Sequence, residues 1–219
     1  MNGVPVQIFC DDFANEIYLP SSNTANVTTL GTSVNLSETR FGGVSPNGWN
    51  TITLTDGNSV DAQDDAFFNS PGSGSSALAR YEMVAYLVSL YNPGLGGNTT
   101  NNQIQEAIWA IMDPTAEGPA IDPSSLSPDS YLEQAATWYG SMNTPGNQNV
   151  LNSFLSQFEI VSGANMTYSN GLGIGGFQEQ IVMTPEPRGG VWILLVLMVG
   201  GFLVARRTGA STGTGTANL

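Results

Sequence analysis

The chain contains no histidine, no lysine and a single cysteine in 219 residues. Without histidine it lacks the commonest general base, the commonest zinc ligand and every histidine-dependent triad. Without lysine it cannot form a Lys–Asn isopeptide cross-link, and no side-chain amine is present to attack an internal electrophile. Acidic exported proteins as a class use little lysine, which accounts for the same absence without chemistry. One cysteine, Cys10, excludes an intrachain disulfide. In an oxidising compartment such a thiol is buried, paired with another molecule or chemically engaged. Charge is scarce and one-sided: five arginines stand against 18 acidic residues, for a net charge of -13. A surface of that sign repels phosphates, so nucleic acid is excluded as a partner. Polarity comes instead from Asn, Ser, Thr, Gln and Gly.

Three of the five arginines, Arg188, Arg206 and Arg207, flank the one long apolar run, Gly189 to Ala205. As a helix the run extends about 26 Å, slightly under a bilayer core of about 30 Å. With snorkelling arginines it reads as a transmembrane helix, and the positive-inside rule puts Arg206-Arg207 in the cytoplasm. Thr184-Pro185-Glu186-Pro187 precedes it. The Pro185-Glu186-Pro187 triplet, the apolar helix and the Arg206-Arg207 pair together resemble the PEP-CTERM sorting signal of Gram-negative bacteria. That resemblance implies export, membrane anchoring through the C-terminal helix, and cutting by an exosortase-type enzyme near the triplet. The polar stretch 208–219 departs from the family pattern, whose tails end soon after the basic cluster. Residues Met1 to Phe9 lack the basic start and long apolar run of a secretory signal. The expectation is therefore that a signal peptide lies upstream of Met1.

The remaining chain, 1–183, is long enough for one domain with a substantial core. Gly3 to Asp11, Asn26 to Leu36 and Trp49 to Thr55 read as strands, and Asp61 to Phe68 as a short helix. Ser76 caps a helix to Tyr91, whose apolar stripe includes Leu78, Tyr81, Ala85 and Val88. Asn92-Pro93-Gly94 stops it. Further helices are expected over Asn102–Met112, Pro128–Met142 and Gln148–Gln157, and closing strands over Phe158–Ser162 and Phe177–Thr184. The expected fold is α+β, with strands at both ends, helices in the middle and one C-terminal transmembrane helix. Gly171, Gly173, Gly175 and Gly176 lie between two strands rather than ahead of a helix, so they read as a hairpin loop and not a phosphate cradle. Asp56, Asn58, Asp61, Asp64 and Asp65 lack calcium-loop spacing, and read as a solvated entry to a helix. No metal or cofactor is implied, and no spacing singles out the carboxylate pair of a glycan hydrolase.

Two stretches carry the candidate chemistry: Phe9-Cys10-Asp11-Asp12-Phe13 and Ile104-Gln105-Glu106-Ala107-Ile108-Trp109. They resemble the thioester domains of bacterial surface adhesins, which have an aromatic-Cys motif early in the chain and a Gln-x-Ala-Ile-Trp motif on the first turn of a helix. This chain has Ile104 where the family often has Thr. The resemblance implies that Cys10 Sγ joins the Gln105 side-chain carbonyl with loss of ammonia, giving an acyl donor for an amine on a partner surface or matrix polymer. Backbone N–H groups at the helix N-terminus are expected to stabilise the oxyanion. Phe9, Phe13 and Trp109 would exclude water, and Asp11, Asp12 or Glu106 would relay protons. Those carboxylates also raise the thiol pKa, which opposes thiolate formation.

The same residues have a purely structural reading. Cysteine packs as a small hydrophobe. With Asn102 as N-cap, Gln105 falls at the third helical position and completes a capping box. Two functions are therefore expected side by side: a surface adhesin that attaches covalently, in a single use and without turnover, or a non-covalent matrix or exopolysaccharide-associated protein with Cys10 buried.

Overall fold

A computed structural model of the chain describes residues 7–10, 24–49, 67–68, 76–92, 99–112 and 129–184. All of them belong to the unit Met1–Thr184. Among the described residues, six strands and four helices follow in chain order: β1 (Gln7–Cys10), β2 (Ala25–Thr29), α1 (Ala77–Leu90), α2 (Thr99–Met112), α3 (Asp129–Met142), α4 (Gln148–Leu155), β3 (Phe158–Gly163), β4 (Thr167–Ser169), β5 (Leu172–Ile174) and β6 (Gln180–Met183). A short 3-10 turn covers Pro46–Gly48.

The main sheet has the order β1-β6-β3-β2, and every pairing is antiparallel. Among the described residues, the first strand is thus hydrogen-bonded to the last. Ile181 lies opposite both Phe9 and Ile160 in the register. All three are buried with Phe158, and together they form the sheet's contribution to the core. The opposite face at the two edges carries Ile8 and Val27, each more than half exposed. The edge strands thus show period-2 alternation, whereas β6 between its neighbours is buried on both faces, with Val182, the register partner of Ile8, only 1% exposed.

Helix α1 contacts β6, α2 contacts β1, and α1, α2 and α3 pack against one another. Ser76 caps α1, its Oγ accepting from the Ala79 N–H at 3.1 Å. The sequence predicts a one-sided stripe on α1, but the helix is buried nearly all round, Arg80 and Glu82 included. It is the central helix, enclosed by its neighbours and the sheet. Such a position removes the polar face that amphipathic patterning assumes.

Several expected elements change. The α+β arrangement is present, but the expected C-terminal transmembrane helix is corrected: no helix among the described residues is long and apolar enough to cross a membrane. The longest have 14 residues, about 21 Å at a helical rise, against a bilayer core of about 30 Å. The run 189–205, the sorting residues Pro185, Glu186, Pro187, Arg206 and Arg207, and the tail 208–219 lie outside the described residues. So do Trp49–Thr55 beyond Trp49, the acidic cluster 56–65, and Asp61–Phe68 apart from the helical Phe67 and Phe68. The strand expected over Asn26–Leu36 ends at Thr29, followed by a turn in which Ser33 has φ 62°. Helix α2 begins at Thr99 rather than Asn102.

The glycine-rich loop joins the antiparallel strands β3 and β6, as a hairpin loop does, but it carries structure of its own. Its first part forms the β4–β5 hairpin, joined by Asn170 and Gly171 with φ values of 51° and 84°. An Asn-Gly pair with both φ positive is the turn whose twist suits a two-residue hairpin. Its second part wraps a cation: the Arg40 guanidinium donates to the carbonyls of Gly173, Gly175 and Phe177 at 2.7 to 2.9 Å. The loop therefore presents oxygens inward, the reverse of a phosphate-binding loop.

Candidate functional site

Cys10 ends β1, an edge strand, and is half-buried. Phe9 fixes the strand beside it. Its ring is buried in the core and meets Tyr91 edge to face, with centroids 4.7 Å apart. On α2, Ile104, Ala107, Ile108 and Ile111 are buried, which sets the rotation of the helix. That rotation directs Gln105 toward β1. Its Nε2 donates to the Cys10 main-chain carbonyl at 2.6 Å. Two residues 95 apart in sequence are thereby brought together, through the Cys10 main chain.

A second carboxamide, absent from the sequence-based expectation, meets the thiol itself. Cys10 Sγ donates to Gln178 Oε1 at 3.1 Å. Gln178 is only 9% exposed. It lies two residues before Gln180, the register partner of Cys10. It was invisible in the sequence because no motif surrounds it and only the β1–β6 pairing brings it to Cys10.

The residue after Gln178 anchors this segment. Glu179 is fully buried and accepts from the Arg40 main-chain N–H and the Tyr81 hydroxyl, each at 2.5 Å, and from the Ser162 hydroxyl. Loss of solvent raises its pKa, and the three donors and the Arg40 charge hold it back. Strand β3, helix α1 and the 30–45 segment thus converge on one carboxylate. They hold the start of β6 where Gln178 reaches the thiol.

The longer α2 corrects two expectations. Gln105 is the seventh residue of the helix, in its second turn. It is neither the third position of a capping box nor a first-turn residue. Only the first four N–H groups of a helix lack intrahelical partners, so the Gln105 main chain offers no helix-terminal oxyanion site. Glu106 and Trp109 are half-buried on the same helix, and Asp11, Asp12 and Phe13 lie outside the described residues.

On another face, Tyr86 of α1 and Trp138 of α3 stack with centroids 4.8 Å apart and planes 13° apart. With Glu133, Gln134 and Thr137 they line an open cleft of about 400 Å³. Among the described residues no group of His, Cys, Asp and Glu is arranged to hold a metal ion. Comparison with family models, with curated proteins and with solved structures finds no match.

Proposed function

We propose that this chain is an exported surface adhesin that attaches covalently to amines through a Cys10–Gln105 thioester. The observation that carries the reading is the hydrogen bond from Gln105 Nε2 to the Cys10 carbonyl, which seats the carboxamide at the residue bearing the only thiol. The sulfur adds to Gln105 Cδ, the C–N bond breaks, and the thiol proton departs with the amide nitrogen as ammonia. A primary amine then attacks the same carbon, the C–S bond breaks, and the thiol is regenerated beside a new amide. Each molecule acts once, so this is attachment rather than enzymatic turnover. The absence of lysine suits a stored acyl group, since no internal side-chain amine competes for it. The Pro185-Glu186-Pro187 and Arg206-Arg207 elements support export and an exosortase-type processing partner, with an amine-bearing surface or matrix polymer as the attachment target. Cell surface or extracellular matrix is the corresponding location.

The intact mass of the purified protein tests this. It should fall one ammonia below the calculated value, and methylamine should then add one equivalent. Cys10→Ala should abolish both effects. An alkylatable thiol and full calculated mass in freshly folded protein would sink the proposal. A second reading, non-covalent association with matrix or exopolysaccharide, is favoured by the Tyr86–Trp138 cleft, where aromatic faces adjoin amide, hydroxyl and carboxylate groups. Retention of the protein on a polysaccharide column by Cys10→Ala as well as by wild type would support it.

A further inference from the structure

We infer that Gln178 is the positioning residue of this acyl chemistry: it orients the Cys10 sulfur for bond formation and supplies the hydrogen-bond donor that eases its departure. The inference rests on the Cys10–Gln105 thioester proposed above. It starts from an asymmetry between the two carboxamides at Cys10. Gln105 touches the main-chain carbonyl, whereas Gln178 touches the sulfur.

While the thiol keeps its proton, the S–H points to Gln178 Oε1. The sulfur lone pairs are then directed away from Gln178. Once the thioester has formed, sulfur has no proton to donate. A half-turn about the last Gln178 torsion exchanges Oε1 for Nε2, because a carboxamide carries an acceptor and a donor side by side. When an amine attacks Gln105 Cδ, the C–S bond breaks and its electron pair goes to sulfur. The Nε2–H meets that developing thiolate, and a proton released by the attacking nitrogen finally restores the thiol. Fixed donors aimed at charge that appears only during reaction are among the strongest rate-determining contacts.

One further observation favours Gln178. Its main chain is held by its neighbour: Glu179 is bound by Arg40, Tyr81 and Ser162 from three different parts of the fold. A donor whose backbone is so held loses little on reorganising.

The test uses full-chain protein, intact-mass spectrometry and methylamine as probe. Gln178→Met removes donor and acceptor at similar length. Gln178→Glu keeps length and acceptor oxygen but exchanges the donor for an oxygen that is charged when ionised, whereas Gln178→Met adds no charge; slowing common to both identifies the lost donor. Wild type should carry the bond, and both variants should form the methylamine adduct at least about tenfold more slowly. A folded variant that keeps its ammonia shows the same role exercised at bond formation. If Gln178→Met does not fold, Gln178→Leu takes its place as the uncharged variant. Variants that carry the bond and react at the wild-type rate overturn the role of Gln178 and leave the thioester standing. Wild type with full mass and an alkylatable thiol overturns the thioester, and the role of Gln178 with it.

Discussion

Two arginines lie among the described residues, and both are buried. Arg80 donates to the carbonyls of Ile111 at 2.5 Å and Phe68 at 3.1 Å, with its guanidinium 4.4 Å from the Trp49 ring centroid. Ile111 lies in the last turn of α2, where carbonyls lack intrahelical partners, so Arg80 caps the helix that carries Gln105. Burial alone pulls its pKa down to about 9. Arg80→Leu leaves two buried carbonyls unpaired and should cost about 2–4 kcal/mol in urea unfolding. Arg80→Lys should not restore this, because a single ammonium on a flexible stem lacks the fork that spans both oxygens. Next on the same helix, Glu82 is raised from 4.5 to about 7 by loss of solvent, and its charge helps to push Tyr139 up to about 12. The folded state keeps a proton on Glu82 that the unfolded chain releases between about pH 4.5 and 7. Stability should therefore decline as pH rises across that window, by about 2–3 kcal/mol. Glu82→Gln should flatten the decline, measured as urea midpoints at pH 5, 6 and 8. The sequence shows an apolar stripe at this helix and gives no warning that an arginine and a glutamate are enclosed with it.

At the scale of elements, the β4–β5 hairpin meets the 40–44 segment at two glycines. A Cβ added to Gly171 would fall 1.7 Å from the Gly43 carbonyl oxygen, at a φ of +84° that side chains rarely adopt. Gly171→Ala should cost about 3 kcal/mol and selectively expose the amides of 167–174 to hydrogen exchange. Equal stability and protection in the variant would show that the segments can part without loss. The helices were largely legible, because capping at Ser76 and apolar spacing act within a few residues. The start of α2 was not: Thr99 to Gln103 carry no apolar spacing, and Asn101 instead ties back to Asn92 through its side chain. The strands β4 and β5 inside the glycine-rich loop were not legible, because three residues leave no periodicity to read.

For the whole molecule, the consequence of the proposed bond is topological. Joining Cys10 to Gln105 closes a loop spanning 95 positions between an edge strand and a helix. By analogy with a disulfide, such closure stabilises by up to about 4–5 kcal/mol before native-state strain. Methylamine treatment should therefore lower the urea midpoint of wild type to near that of Cys10→Ala, and leave Cys10→Ala unchanged. An unchanged wild-type midpoint would remove the stabilising role of the bond. Sequence alone determined the class of chemistry open to this chain. It has no histidine, no lysine, one thiol and an acidic surface, and it singled out Cys10 and Gln105 through short motifs. Those are properties of residue type and local spacing, which survive in one dimension. Only the tertiary structure decided that β1 pairs with β6, that Gln178 reaches the sulfur, and that Glu179 holds the strand start in place. Such placements depend on contacts between segments far apart in sequence, 168 residues for Cys10 and Gln178 and 139 for Arg40 and Glu179, formed as the sheet closes beneath its helices, and no local pattern encodes them.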